Sequence, residues 1–398
     1  MSPRPWQPQR IVFPLLVLGA GYAVLEGGAR LLLPPPYPFN PNSRVVEETP
    51  HLSPGRSFTI VTNNFGFRNS PDFAFPWSGQ RPRLLLIGDS LIFGGPNDRT
   101  LDQALSRLLP GQDVLNGGSP GADIAFYGQM VRYYLPRIRP SRLVVGLFLG
   151  NDFSGPSAEQ RAALRYRVGR VLKGAFPQAV LLRRRLAVER GARVARAPAP
   201  PLEGAAFRAR VAEEVRTLCK GRSLDLARQL EEAAAYPYEA VLDEHPGLQT
   251  EAGTRIVAYA IVDRAHLAES LRLDNDNARL NYDAAWRELR ALRDFAARQS
   301  VEPLFVLFPV SFMVDARYAA FYRDLGYAIP AASARYPLRD RLRTDLQAAG
   351  YAALDLQDHL ADAGVFFDQD WHLNERGNDW AAAEIARRLA GAEGPLSP

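Results

Sequence analysis

The sequence predicts an α/β protein built on a parallel sheet, and three observations carry that expectation. Several short apolar runs are continuous rather than alternating, the pattern of strands buried on both faces. Segments with apolar residues at helical spacing follow them, and the alternation repeats along the chain. The composition, 47% hydrophobic and 23% charged over 398 residues, is that of a folded chain with a sizeable core.

Taken in order, Arg83 to Ile87 reads as the first buried strand, closed by Gly88, and Leu101, Ala104, Leu105 and Leu108 mark the helix after it. Val114 to Asn116 is a second strand, Ile124 to Leu135 a helix, and Leu143 to Leu149 a third strand. Further on, Trp286, Leu289, Leu292 and Ala296 share a helix face ahead of a strand from Leu304 to Phe308. Between these units, residues 155 to about 280 read as a mostly helical insertion broken by the Ala197 to Pro201 stretch. Residues 34–80, rich in proline, asparagine and serine, read as an extended connector with one strand. The folded domain is expected over 81–395.

The N-terminus predicts a membrane segment. Residues 11–33 are apolar except for Glu26 and Arg30, which can pair at i, i+4 spacing, and Pro34 to Pro36 end the run. A helix spans a bilayer in about 20 residues. The competing reading is a cleaved signal peptide with its cut near Gly21 and Ala23; the apolar stretch continues past that point, which favours the anchor. Arginines ahead of it place residues 1–10 in the cytoplasm and everything after residue 34 on the outer, periplasmic side of the inner membrane.

Charge and cysteine content narrow the chemistry. A single cysteine, Cys219, excludes an internal disulfide framework and a multi-thiolate metal site, and metal chemistry has little support. Residues 161–196 carry eleven arginines and lysines against the lone Glu189. That stretch suits anionic headgroups or an acidic glycan, but arginine is abundant throughout the chain, which favours a solvated helical face. No nucleic-acid-binding motif accompanies it, so nucleic acid is not an expected partner.

The chemistry concentrates in four motifs. Gly88-Asp-Ser-Leu91 follows the first strand and places Ser90 at the carboxyl end of the sheet, where ligand crevices of open α/β folds lie. Asn116-Gly-Gly-Ser-Pro-Gly121 follows the second strand, and a glycine there can present its N–H to a developing oxyanion. Gly150-Asn-Asp152 follows the third, so the Asn151 amide is another donor. Near the C-terminus His372 is the candidate base, with Asp370 two residues before it to orient the ring and Asp368 as the fallback acid. Asp89 is expected to hold the turn through nearby backbone. Asn151 and Asp152 are also ordinary helix caps, and His51, His245, His266 and His359 have no matching neighbours. Gly117 to Gly121 also matches a G-x-S-x-G elbow, but Pro120 has no N–H to offer an oxyanion, which makes Ser119 a poor nucleophile.

Ser90, Gly121, Asn151 and His372, in that order, resemble the four blocks of the SGNH (GDSL) hydrolase family; Asn63-Asn-Phe-Gly-Phe-Arg68 and the N-terminal segment resemble membrane-tethered bacterial members. The resemblance covers about 83–155 and 283–390. It implies a flavodoxin-like three-layer α/β/α sandwich, carrying here a helical insertion and an N-terminal transmembrane helix. It further implies a serine esterase or acyltransferase needing no cofactor, with Ser90, Gly121 and Asn151 as oxyanion donors. Many members carry the triad aspartate three residues before the histidine, where this chain has Gln369; some envelope-polysaccharide acetyltransferases resemble it in having the acid at minus two. The expected substrates are O-acetyl groups of an envelope polysaccharide, with lipid esters, acyl transfer to a glycan, or a catalytically idle subunit of a surface-polymer machine as alternatives.

Overall fold

The computed structural model describes residues 17, 19–28, 44–48, 57–72, 81–155, 201–222, 224–265, 267–330, 336–360 and 364–391. Two compact units separate, Phe39–Gly155 with Pro198–Pro398, and Met1–Pro38 with Pro156–Ala197. In the latter, the described residues, Val17 and 19–28, are helical. The expected anchor at 11–33 lies largely outside the described residues, and among the described residues no helix is long and apolar enough to cross a membrane. The basic stretch 161–196 lies wholly outside them.

The larger unit is organised by a parallel sheet of β3 (Arg83–Gly88), β4 (Asp113–Gly118), β5 (Arg142–Phe148), β6 (Pro303–Phe308) and β7 (Ala353–Asp355), in the spatial order β4-β3-β5-β6-β7. Numbering only these five strands along the chain gives 2-1-3-4-5, one of the two common doubly wound orders. Leu84 to Ile87, Leu143 to Val145 and Phe305 to Leu307 are almost fully buried, as unbroken apolar runs require when both sheet faces are covered.

The helices supply that cover. In chain order they are α1 (Ser90–Phe93), α2 (Leu101–Leu108), α3 (Ile124–Ile138), α4 (Gly204–Arg222), α5 (Leu226–Ala234), α6 (Tyr238–Glu244), α7 (Glu251–Val262), α8 (Glu269–Arg272), α9 (Asp276–Arg298), α10 (Ser311–Val314), α11 (Ala316–Asp324), α12 (Pro337–Ala348) and α13 (Glu375–Ala390). Helix α2 packs against α13, and α3 against α9. The arrangement is compatible with a three-layer sandwich. The described part of the expected insertion is helical, with α4 packed on α5 and α7.

Two expectations are corrected. The second sheet strand runs to Gly118, so Gly117 and Gly118 belong to β4 and the loop begins only at Ser119. The reason is packing: a Cβ on Gly118 would stand 2.2 Å from the Phe93 nitrogen, so glycine here admits helix α1 onto the strand rather than loosening a turn. The segment expected as a connector with one strand instead contains an antiparallel pair, β1 (Arg44–Glu48) and β2 (Ser57–Val61). Phe58 and Ile60 form a buried cluster with Phe93, and Phe67 and Arg68 are buried as well. Apolar side chains at alternate positions of β2 thus pack against the short helix that begins at Ser90.

Candidate active site

The site begins where β3 stops. Gly88 ends the strand, and Asp89 caps α1 by accepting the Leu91 N–H at 2.9 Å on Oδ1. Ser90 is therefore the first helical residue, whose N–H has no partner inside the helix by construction. Helix α1 lies directly on the sheet because three strands offer glycine beneath it. A Cβ on Gly88 would fall 2.3 Å from Ile92 Cγ1, one on Gly146 2.7 Å from Ile92 Cδ1, and one on Gly118 2.2 Å from backbone of Phe93.

The other half of the site comes from the loop ahead of α13. His372 Nε2 stands 2.8 Å from Ser90 Oγ, and its Nδ1 stands 2.7 Å from Asp370 Oδ1. The same carboxylate oxygen accepts the His372 backbone N–H at 3.0 Å. Asp370 is thus the carboxylate bonded to the ring, and Asp368 is among the charges that raise the Arg317 pKa, after the Tyr318 hydrogen bond. Burial alone would push the imidazole pKa down; the charge and hydrogen bond of Asp370, joined by the charge of Asp89, outweigh it and hold His372 above the ordinary histidine value.

The loop is fixed on both sides of His372. The Trp371 ring meets Phe148 at 5.7 Å edge-on and stacks on Tyr322 at 6.4 Å between centroids. Asn374 caps α13 by accepting the Gly377 N–H at 3.0 Å and donates to the carbonyls of Gly364 and Phe366. Gly377 is needed because a Cβ there would lie 2.0 Å from the Val365 oxygen. Asn97 Nδ2 donates to Gly94 O at 2.9 Å and to Leu373 O at 2.8 Å, tying the nucleophile loop to the histidine loop. Buried Arg68 braces the former through the carbonyls of Phe93, Gly95 and Asn97.

The remaining expected donors lie at the same end of the sheet. Gly88 pairs with Gly118 across β3 and β4, so Gly121, past the end of β4, lies at the same end of the sheet as Ser90, past the end of β3. Gly121 occupies the left-handed region, φ +71°, in a turn where Ala122 N–H donates to Ser119 O. Asn151 stands just past β5, and its Nδ2 donates to Asp89 Oδ2 at 3.2 Å. Ser119 is fully buried, with its N–H committed to Gly88 O, as a structural rather than a reacting residue would be.

Sequence reasoning passed over Arg68, Asn97, Gly146 and Trp371. Trp371 had a signal, an aromatic residue beside the candidate base; Gly146 had a weaker one, a glycine inside an otherwise unbroken apolar strand.

A serine, an imidazole and a carboxylate in one hydrogen-bonded line at the C-terminal edge of a parallel sheet have the connectivity of a Ser-His-Asp triad. Neither the models of protein families nor the curated proteins contain a match to this chain.

Proposed function

We propose that this chain is a serine esterase or acyltransferase of the SGNH type, on a three-layer sandwich, with Ser90 as nucleophile, His372 as general base and Asp370 as its partner. The observation that carries the reading is the continuous Ser90–His372–Asp370 hydrogen-bond line at the sheet edge. Asp370 accepts a hydrogen bond from Nδ1–H, which leaves the Nε2 lone pair facing Ser90 Oγ. As Oγ attacks an ester carbonyl, Nε2 takes its proton, and the oxyanion is received by the N–H groups of Ser90, Gly121 and the Asn151 amide. Donors of this kind contribute about 3 kcal/mol each to the transition state. Collapse expels the alcohol, which leaves with the proton from His372. Water or an acceptor hydroxyl, deprotonated by the same nitrogen, then releases the acyl group from Ser90.

For substrate we propose O-acetyl groups of an envelope polysaccharide, with residues 11–33 holding the site outside the inner membrane. The apolar run at 11–33 supports this reading, since a tethered site would lie beside the envelope polymer.

The test is hydrolysis of p-nitrophenyl acetate by the purified full-length protein, beside Ser90→Ala and His372→Ala, with fluorophosphonate labelling in parallel. Both variants are expected to lose at least about 10³-fold in kcat, and Ser90→Ala to lose the label. Activity or labelling that survives Ser90→Ala would remove the reading.

A further inference from the structure

Asp89 does more than cap a turn: we infer that it is a positioning residue that sets which end of the Asn151 amide faces the reacting centre, an inference that rests on the esterase reading above. The side chain divides its two oxygens between two tasks. Oδ1 accepts the Leu91 N–H at 2.9 Å, and Oδ2 accepts from Asn151 Nδ2 at 3.2 Å. Asp89 is 1% exposed, which shields its carboxylate from solvent.

The backbone of Asn151 is held by its neighbour. Asp152, buried at 3% exposure, accepts the Phe148 N–H at 2.8 Å and the Tyr127 hydroxyl at 2.6 Å. Its own N–H donates to Phe148 O. With the backbone pinned, Asn151 keeps its χ1 rotamer choice and the rotation of its terminal amide, and the latter is a broad and nearly two-fold torsion. The two ends are chemically opposite. The nitrogen stabilises an oxyanion, and the oxygen repels one.

What distinguishes the two orientations is Asp89. A carboxylate only accepts, so it demands the nitrogen end, and Nδ2 keeps a second N–H for the oxyanion. The Asn151 oxygen is buried and has no hydrogen-bond partner among the described residues, so no bond on that side makes the choice. Asp89 therefore acts on the reaction through Asn151, without touching substrate.

A double-mutant cycle on the full chain tests this. Asp89→Ser keeps a hydroxyl able to cap the Leu91 N–H but is too short to reach Asn151. Asp89→Asn is the second variant, because its single oxygen cannot serve both donors. With p-nitrophenyl acetate, either is expected to lower kcat about 10- to 100-fold with KM within about twofold, and Asn151→Ala about 10²- to 10³-fold. Measured on the plateau above the acid limb of His372, where the Asp89 charge no longer bears on the fraction of neutral imidazole, the Asp89 substitution is expected to cost nothing further in the Asn151→Ala background, the non-additivity of residues acting as one unit. Multiplying losses, or an unchanged kcat in folded Asp89→Ser and Asp89→Asn, would overturn the inference. A wild-type chain with no Ser90-dependent turnover or labelling would instead remove the esterase reading beneath it.

Discussion

The two arms of the site are held by different physics. The nucleophile arm is held by close packing: Gly88, Gly118 and Gly146, one from each of three adjacent strands, let α1 settle so near the sheet that an added Cβ would meet Ile92 or Phe93 at 2.2 to 2.7 Å. The base arm is a loop held by hydrogen bonds and rings, from Asp370, Asn97, Asn374 and the Trp371 contacts to Phe148 and Tyr322. At Gly118 the contact is backbone on backbone, which cannot yield locally, whereas a hydrogen-bonded loop can lose one bond and keep its course. Damage to the first arm should therefore appear as lost stability, and damage to the second as lost rate.

The largest effect is expected on the base arm. Asp370→Asn leaves the shape unchanged but removes the charge that stabilises the imidazolium and introduces an NH2 that can donate to Nδ1 and hold the wrong histidine tautomer, and kcat is expected to fall about 10³- to 10⁴-fold with the melting temperature nearly unchanged. Its pH profile carries a second signature. His372 must be neutral to accept a proton, so activity rises as pH rises through its pKa, and the wild-type acid limb should lie above the ordinary histidine range. Removing the Asp370 charge leaves burial as the dominant influence, so the limb of the residual activity should move to lower pH. A limb that stays in place would show that another group governs the titration.

The next effect falls on the nucleophile arm. Gly118→Ala puts a methyl group 2.2 Å from Phe93 N and 2.7 Å from Ile92 C, both backbone atoms with no rotamer to escape into. The expected cost is about 3 kcal/mol of stability, seen in a denaturant titration as a lower midpoint at unchanged slope. Loss of rate with stability intact would erase the contrast between the arms.

Much of this contrast was legible in the sequence, and unevenly so. Ser90, Asn151 and His372 each stand in a short motif beside a strand or helix whose period could be read, so local pattern placed them at the right end of the sheet. Spacing alone favoured Asp370, two residues before the histidine, over Asp368, four before it; what sequence could not show is the turn in which Asp370 Oδ1 takes both the ring and backbone N–H. Arg68, by contrast, was hidden. Its partners, the carbonyls of Phe93, Gly95 and Asn97, are distant in sequence, and a buried arginine has no periodic signature. The two glycines at 117 and 118 resembled a loop, because sequence does not distinguish glycine needed for a turn from glycine needed for a close approach.

The smallest effect is expected at the seam between the arms. Asn97 is 2% exposed, and its Nδ2 spends both hydrogens on carbonyls, Gly94 O on the nucleophile side and Leu373 O on the base side. Asn97→Ala would leave two buried carbonyls unsatisfied, a cost of about 1–3 kcal/mol. Gly95, whose added Cβ would sit 3.5 Å from the His372 ring, is still held by Arg68 through its carbonyl, so the gap between Ser90 Oγ and Nε2 should widen only slightly. A fall of less than about tenfold in kcat, with a lower melting temperature, is the expected result. Asn97→Asp should do worse on both measures, since a carboxylate would face two carbonyl oxygens it cannot bond. If Asn97→Ala instead lowers kcat as far as Asp370→Asn, the arms are one mechanical unit, and the seam rather than the glycine platform sets the distance between nucleophile and base.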